Sequence, residues 1–183
     1  MKKILLTIMM TLAVVGMTSC NAKTIKEDQP DSMFVPDSLV YKKLGKSLSE
    51  ILFSPKKVKV YSLKGVEKVG KNDVEIEDHF VRDTLIATLD SREIALLQFM
   101  LLSGEENYKN DSLPIRAPYL PQLEFEFSKK KGQVAHVVVS VSDRTWTMVY
   151  DDKVQFNWNY AHKEIFTRFC DYFIEIANKK RKK

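Results

Sequence analysis

The sequence predicts an α+β domain: an antiparallel β-meander sheet with a buried central helix and a C-terminal amphipathic helix packed on one face. Three observations carry that prediction. Between residues 123 and 160, apolar residues alternate with polar ones and stay in phase across three turns. Residues 90–102 hold a dense apolar run behind a capping signal. Residues 162–178 repeat apolar side chains at helical spacing, with charges between them. Strands in sequence followed by a one-sided helix make a sheet with helices on one face.

The elements follow in chain order. In KSLSEILF, Ser47 and Glu50 stand at capping-box spacing before Ile51, Leu52 and Phe53, so a short helix is expected, ended by Ser54-Pro55. KVKVYSL alternates and is rich in β-branched residues, hence a strand. DVEIEDHFVRDTLIATL alternates in two pieces, 74–80 and 81–88, and also reads as strand. In DSREIALLQFMLL, Asp90 can cap and Glu93 lies three residues later. Its apolar residues cover most of the circumference, which places this helix at the centre. Gly104 ends it, and a long loop with Pro114, Pro118 and Pro121 follows.

The meander comes next. QLEFEF puts Leu123, Phe125 and Phe127 on one face and Glu124 and Glu126 on the other. A loop at Lys130-Lys131-Gly132, with glycine left-handed, sets Phe127 opposite Ala135 and Phe125 opposite Val137. A turn at Asp143-Arg144 sets Val141 opposite Trp146 and Val139 opposite Met148. A loop at Asp151-Asp152-Lys153 sets Tyr150 opposite Val154, Met148 opposite Phe156 and Trp146 opposite Trp158. The rings of the segment WTMVYDDKVQFNWNY therefore line the core face. Trp158 and Tyr160, near the edge, are the residues that would serve a displayed ligand platform instead. The closing helix carries Ile165, Phe166, Phe169, Cys170, Phe173, Ile176 and Ala177 as one stripe.

The first residues read as an address. Lys2 and Lys3 precede an uncharged, mostly apolar run of 14 residues, Ile4 to Met17. As a helix it would span only about 21 Å, short of a hydrocarbon core of about 30 Å, so it reads as a leader. Met17-Thr18-Ser19-Cys20 resembles a bacterial lipobox, with methionine where leucine is usual. The resemblance implies cleavage before Cys20, acylation of Cys20 and a membrane anchor in a Gram-negative envelope. Asn21 is not aspartate, so the inner-membrane retention signal of enteric bacteria is missing. Lys26-Glu27-Asp28 looks like the short signal that exports some bacteroidete lipoproteins to the cell surface. The expected location is the outer membrane or cell surface, with a periplasm-facing orientation as the variant. The expected organisation is a leader at 1–19, a tether at 20–37, one domain at 38–178 and a basic tail at 179–183. In layout the chain is similar to small uncharacterised lipoproteins of bacteroidete-type bacteria; no site residue transfers from that likeness.

Charge excludes one class of function. The formal net charge of +5 shrinks to +3 once Lys2 and Lys3 leave with the leader. Five basic residues close the chain, and without them the mature body stands at −2. No basic and aromatic residues interleave on one face, so nucleic acid is not an expected partner. No HExxH, CxxC, GxSxG, Walker A or GxGxxG occurs, so no metal and no cofactor is expected. The three histidines are isolated in sequence, and Cys170 falls on an apolar stripe.

What remains is the sheet face turned from the core. It carries Glu124, Glu126, His136, Ser140, Thr145, Thr147, Gln155, Asn157 and Asn159. Amides and hydroxyls suit hydrogen bonding to a protein or glycan partner; an ordinary solvated sheet face has the same composition. The expectation is a non-enzymatic binding module of the envelope. The alternative is an envelope hydrolase using Glu124, Glu126 and His136, since paired carboxylates serve glycoside hydrolysis.

Overall fold

The computed structural model describes residues 35–69, 74–109, 120–130, 132–151 and 153–182. The expected leader, Cys20 and most of the expected tether lie outside the described residues, as do residues 110–119 of the expected long loop.

The chain enters through α1 (Ser38–Phe53), passes to β1 (Lys57–Val69) and β2 (Val74–Thr88), then to α2 (Ser91–Leu97). A π turn (Gln98–Leu102) and a 3-10 turn (Glu105–Tyr108) precede β3 (Leu123–Lys130), β4 (Gln133–Ser140), β5 (Thr145–Tyr150) and β6 (Lys153–Asn159). The chain closes with α3 (Lys163–Arg181). The six strands form one antiparallel sheet in the order β2-β1-β3-β4-β5-β6. The fold is the α+β meander that the sequence implied, widened by the β1–β2 hairpin, which docks beside β3.

One face of the sheet is the core. Val58, Val60, Leu123, Phe125, Phe127, Ala135, Val137, Val139, Trp146 and Met148 are all fully buried there. α1 covers it with Val40, Leu48, Ile51 and Leu52, and α3 with Phe166, Cys170, Phe173 and Ala177. Trp158 and Tyr160 are buried as well, which removes them as a displayed platform. Trp146 packs on Trp158 at 4.7 Å, and Tyr108 meets both rings edge-on at 5.3 and 4.8 Å. Aromatic side chains contribute most to such a core because each removes a large apolar area from water.

Asn107 ties this cluster together. Its backbone carbonyl accepts from Trp146 Nε1 at 3.0 Å. Its side-chain amide donates to the Met100 carbonyl, and its Oδ1 accepts from Ala161 N–H. A fully buried asparagine is tolerated because its amide is satisfied at both ends.

Several elements depart from expectation for identifiable reasons. α1 starts at Ser38, well before the Ser47 signal, because Asp37 caps it and accepts from Leu39 N–H at 2.9 Å. Gly45 interrupts it with φ 72° and ψ 170°, a conformation essentially restricted to glycine. Glu50 pairs with Lys129 at 2.9 Å. The Asp90–Glu93 capping box does form, with both reciprocal hydrogen bonds present. The helix behind it is less enclosed than its composition implied: the π turn re-phases it, leaving Leu96 and Phe99 half exposed while Leu97, Met100, Leu101 and Leu102 stay buried. Gln98 is buried there because its amide donates to the Leu52 carbonyl at the end of α1, one of the orphaned acceptors of a helix terminus. On α3, Ile165 is 64% exposed and stands outside the core stripe.

The meander register differs from expectation by two residues at the β4–β5 turn and locally at the β5–β6 turn. Val139 faces Trp146 and Val137 faces Met148, because the β4–β5 turn takes four residues, 141–144, with Arg144 at φ 55°. The pairing is offset by two residues from the expected one, so side chains keep their faces. Elsewhere Phe127 faces Ala135, Phe125 faces Val137, Met148 faces Phe156 and Trp146 faces Trp158 as expected. Tyr150 faces Lys153, with a bulge after Met148 absorbing the difference.

The basic C-terminus is not a loose end. α3 continues to Arg181, whose guanidinium bonds Asp83 at 2.7–2.8 Å. Lys180 donates to the Leu85 and Ile86 carbonyls of β2, an edge strand.

Candidate functional site

Pleating places the side chains of Glu124 and Glu126 opposite Phe125, on the face away from the helices. β1 runs beside β3 with Lys59 facing Glu126 and Tyr61 facing Glu124. β4 runs on the other side with His136 facing Glu126 and Val138 facing Glu124. Arg82 arrives from β2, one strand further out, through the pair Leu63–Arg82.

These side chains form a connected network. Arg82 Nε lies 3.1 Å from each Glu124 carboxylate oxygen, and its Nη1 lies 2.7 Å from Glu126 Oε2. The guanidinium also stacks on Tyr61, 4.2 Å from the ring centre. Lys59 completes the set at 3.1 Å from Glu126. His136 Nδ1 sits 2.7 Å from Glu124 Oε1 and 3.1 Å from Arg82 Nη2. A carboxylate only accepts and a guanidinium only donates, so the shorter contact assigns the ring proton to Nδ1, donated to Glu124. In the neutral ring, Nε2 is then left as an acceptor.

The electrostatics follow from this geometry. Glu124 is nearly buried. Burial opposes its ionisation, but the hydrogen bonds from His136 and Arg82 and the guanidinium charge outweigh that and hold its pKa down at about 2. Burial also opposes ionisation of Glu126, and Lys59 and Arg82 reverse it, so its pKa is lowered too. Arg82 is pushed above its ordinary range, first by its hydrogen bonding to Glu124. Both carboxylates are therefore fixed anions, each already paired.

The other expected face residues divide. Ser140 is fully buried: its hydroxyl bonds Asp143 at 2.6 Å and the Leu120 carbonyl at 3.1 Å, so it serves the local loop. Thr147 is half-buried, between Val138 and Asn157 in register. Asn159 is half-buried at the end of β6, opposite Thr145. Gln155 and Asn157 lie on β6, but their side chains fall outside the described residues. The structure thus brings Glu124, Glu126 and His136 together. It adds Lys59, Tyr61 and Arg82, which sequence reasoning missed. The outward alternation of Lys59 and Tyr61 with Val58 and Val60 was the available signal; what was lacking was the pairing of β1 with β3.

Cys170 is buried and free, and burial, helped by Asp171, raises its thiol pKa. It is not poised as a nucleophile. Among the described residues, no group of three or more His, Cys, Asp or Glu side chains is placed to hold a metal ion, and no helix is long and apolar enough to cross a membrane. Compared with protein families, with curated proteins and with solved structures, the chain matches none.

Proposed function

We propose that this chain is an envelope lipoprotein, anchored through Cys20, whose domain binds a protein or glycan partner on the outward sheet face without catalysing a reaction on it. The observation that carries the binding part is the network of Arg82 with Glu124, Glu126, His136 and Tyr61. Side chains locked by mutual hydrogen bonds and stacking lose little freedom when a partner docks, which favours recognition. The same network disfavours the hydrolase alternative. A general acid needs a raised pKa, whereas Glu124 is held at about 2 with both oxygens engaged. The anchoring part rests on the leader and on Met17-Thr18-Ser19-Cys20.

The test is capture by crosslinking from intact envelopes, with a peptidoglycan co-sedimentation arm for the glycan case. Thr147→Ala with Asn157→Ala, two positions of the expected binding face, should leave the domain folded, as circular dichroism checks. It should weaken capture or sedimentation by roughly tenfold, the equivalent of one or two lost interfacial hydrogen bonds. Undiminished capture by this pair would sink the assignment of the face. Turnover of a cell-wall glycan that disappears in Glu124→Gln would instead support the hydrolase.

A further inference from the structure

Several exposed apolar residues lie near the point where the chain enters the domain, while Leu85 on β2 and Tyr172 along α3 are exposed elsewhere. Val35 is 86% exposed and Leu39 53%, on either side of the Asp37 cap. Asp37 N–H donates to the Ser103 carbonyl at 3.1 Å, and Ser103 Oγ donates to the Phe99 carbonyl one turn back. The Phe99 ring, half exposed, stacks on His162 at 5.9 Å. Ile165 follows His162 by three residues along α3, and Leu96, also half exposed, precedes Phe99 by three. The entry point, the π turn and the start of α3 are thus one end of the molecule, and it carries an apolar rim.

We infer that this rim, Leu39, Leu96, Phe99 and Ile165, rests on the lipid surface that holds the anchor. The inference builds on the anchoring reading above. Fourteen residues, 21–34, lie between Cys20 and Val35. Even fully extended they reach at most about 50 Å. Anchoring at Cys20 therefore keeps Val35 within about 50 Å of the bilayer, and the entry end is the part of the domain with the shortest reach to lipid. Contact then becomes intramolecular, so a patch too weak to bind membranes from solution suffices. Half-exposed aliphatic and aromatic side chains are the chemistry that enters the headgroup boundary. Exposed charges of both signs lie close in sequence to the rim residues: Glu105, Glu106 and Glu164 on one hand, Arg92 and Arg168 on the other. His162 already pairs with Glu106 at 3.4 Å. Adhesion is therefore apolar, with little dependence on salt or on anionic lipid. It leaves the opposite sheet face directed to a partner.

The test supplies the tether artificially, so that it reads independently of acylation. The chain from residue 20, with Cys20→Ser and a preceding hexahistidine tag, is held on phosphatidylcholine vesicles containing a nickel-chelating lipid. An environment-sensitive dye is attached at Leu96→Cys; Cys170 is buried and stays unlabelled. Brominated phosphatidylcholine should quench the dye, equally in low and high salt. A dye at Thr147→Cys should not be quenched. Adding Phe99→Asp and Ile165→Asp should lower the docking equilibrium by about tenfold or more. These positions are exposed, so folding should persist, and circular dichroism checks it. Absent quenching at residue 96, or equal quenching at 147, overturns the inference. So does a spectral change that follows protein concentration without vesicles, which would assign the rim to a second copy, or one that appears only with added envelope protein. Failure of Cys20 acylation would overturn the anchoring reading alone.

Discussion

Glu124 shows how one residue couples the sheet's outer face to stability. Its pKa is lowered on folding, to about 2 from an ordinary 4.5. The folded chain therefore holds the ionised form more tightly than the unfolded chain does. The resulting stabilisation, on the order of 3 kcal/mol, is fully present above about pH 4.5 and is lost as pH falls towards 2. Denaturant titrations across that window should show stability falling with acid, and Glu124→Gln should flatten the slope. An unchanged slope in the variant would mean that Arg82 and His136 do not hold this carboxylate in solution. Arg82→Ala should cost about 1–3 kcal/mol at neutral pH, because it removes charge-assisted hydrogen bonds from a buried carboxylate that keeps only His136 among the described residues. On the core side, Trp146→Ala should cost about 3–5 kcal/mol, a large part of a typical 5–15 kcal/mol. Trp146 is fully buried and its indole N–H bonds Asn107. A denaturation midpoint unchanged by that substitution would contradict its placement.

At the scale of elements, the C-terminal turn of α3 makes the sharpest prediction. Lys180 and Arg181 hold the carbonyls of Leu85 and Ile86 and the carboxylate of Asp83 on edge strand β2. Charged side chains on an edge guard it against pairing with other chains. Removing residues 180–183 should speed amide exchange in β2 around residues 83–86 and raise the tendency to aggregate. Exchange rates equal to those of the full chain would mean these contacts do not persist. Local signals made much of the architecture legible. The Asp90–Glu93 box, the left-handed Gly132 and the phase of β3 to β6 all depend on residues close in sequence. Even the four-residue turn at 141–144 did no harm, since a shift of two residues preserves facing. The network was hidden because Arg82 and Glu124 lie 42 residues apart and meet only through the docking of the β1–β2 hairpin. The basic tail was equally opaque: a lysine run has the same composition whether solvated or bonded to an edge strand.

For the whole molecule, the two faces of the sheet have separate roles. The inner face and its helices supply the stable body; in the proposed arrangement the apolar rim at the entry end would orient that body towards lipid. The outer face carries the pre-set charge network, and under the proposed function it is the face that a partner would meet. All of this presumes that the chain reaches a membrane and is held there through Cys20. Intact and peptide mass spectrometry of the mature protein, purified from membranes of a Gram-negative host, tests that claim most directly. The first residue should be Cys20, carrying the added mass of a diacylglyceryl group with or without a third acyl chain, and Cys20→Ser should abolish both the modification and retention against washing. A mature N-terminus at another residue with no lipid mass, or an unprocessed leader beginning at Met1, would contradict it.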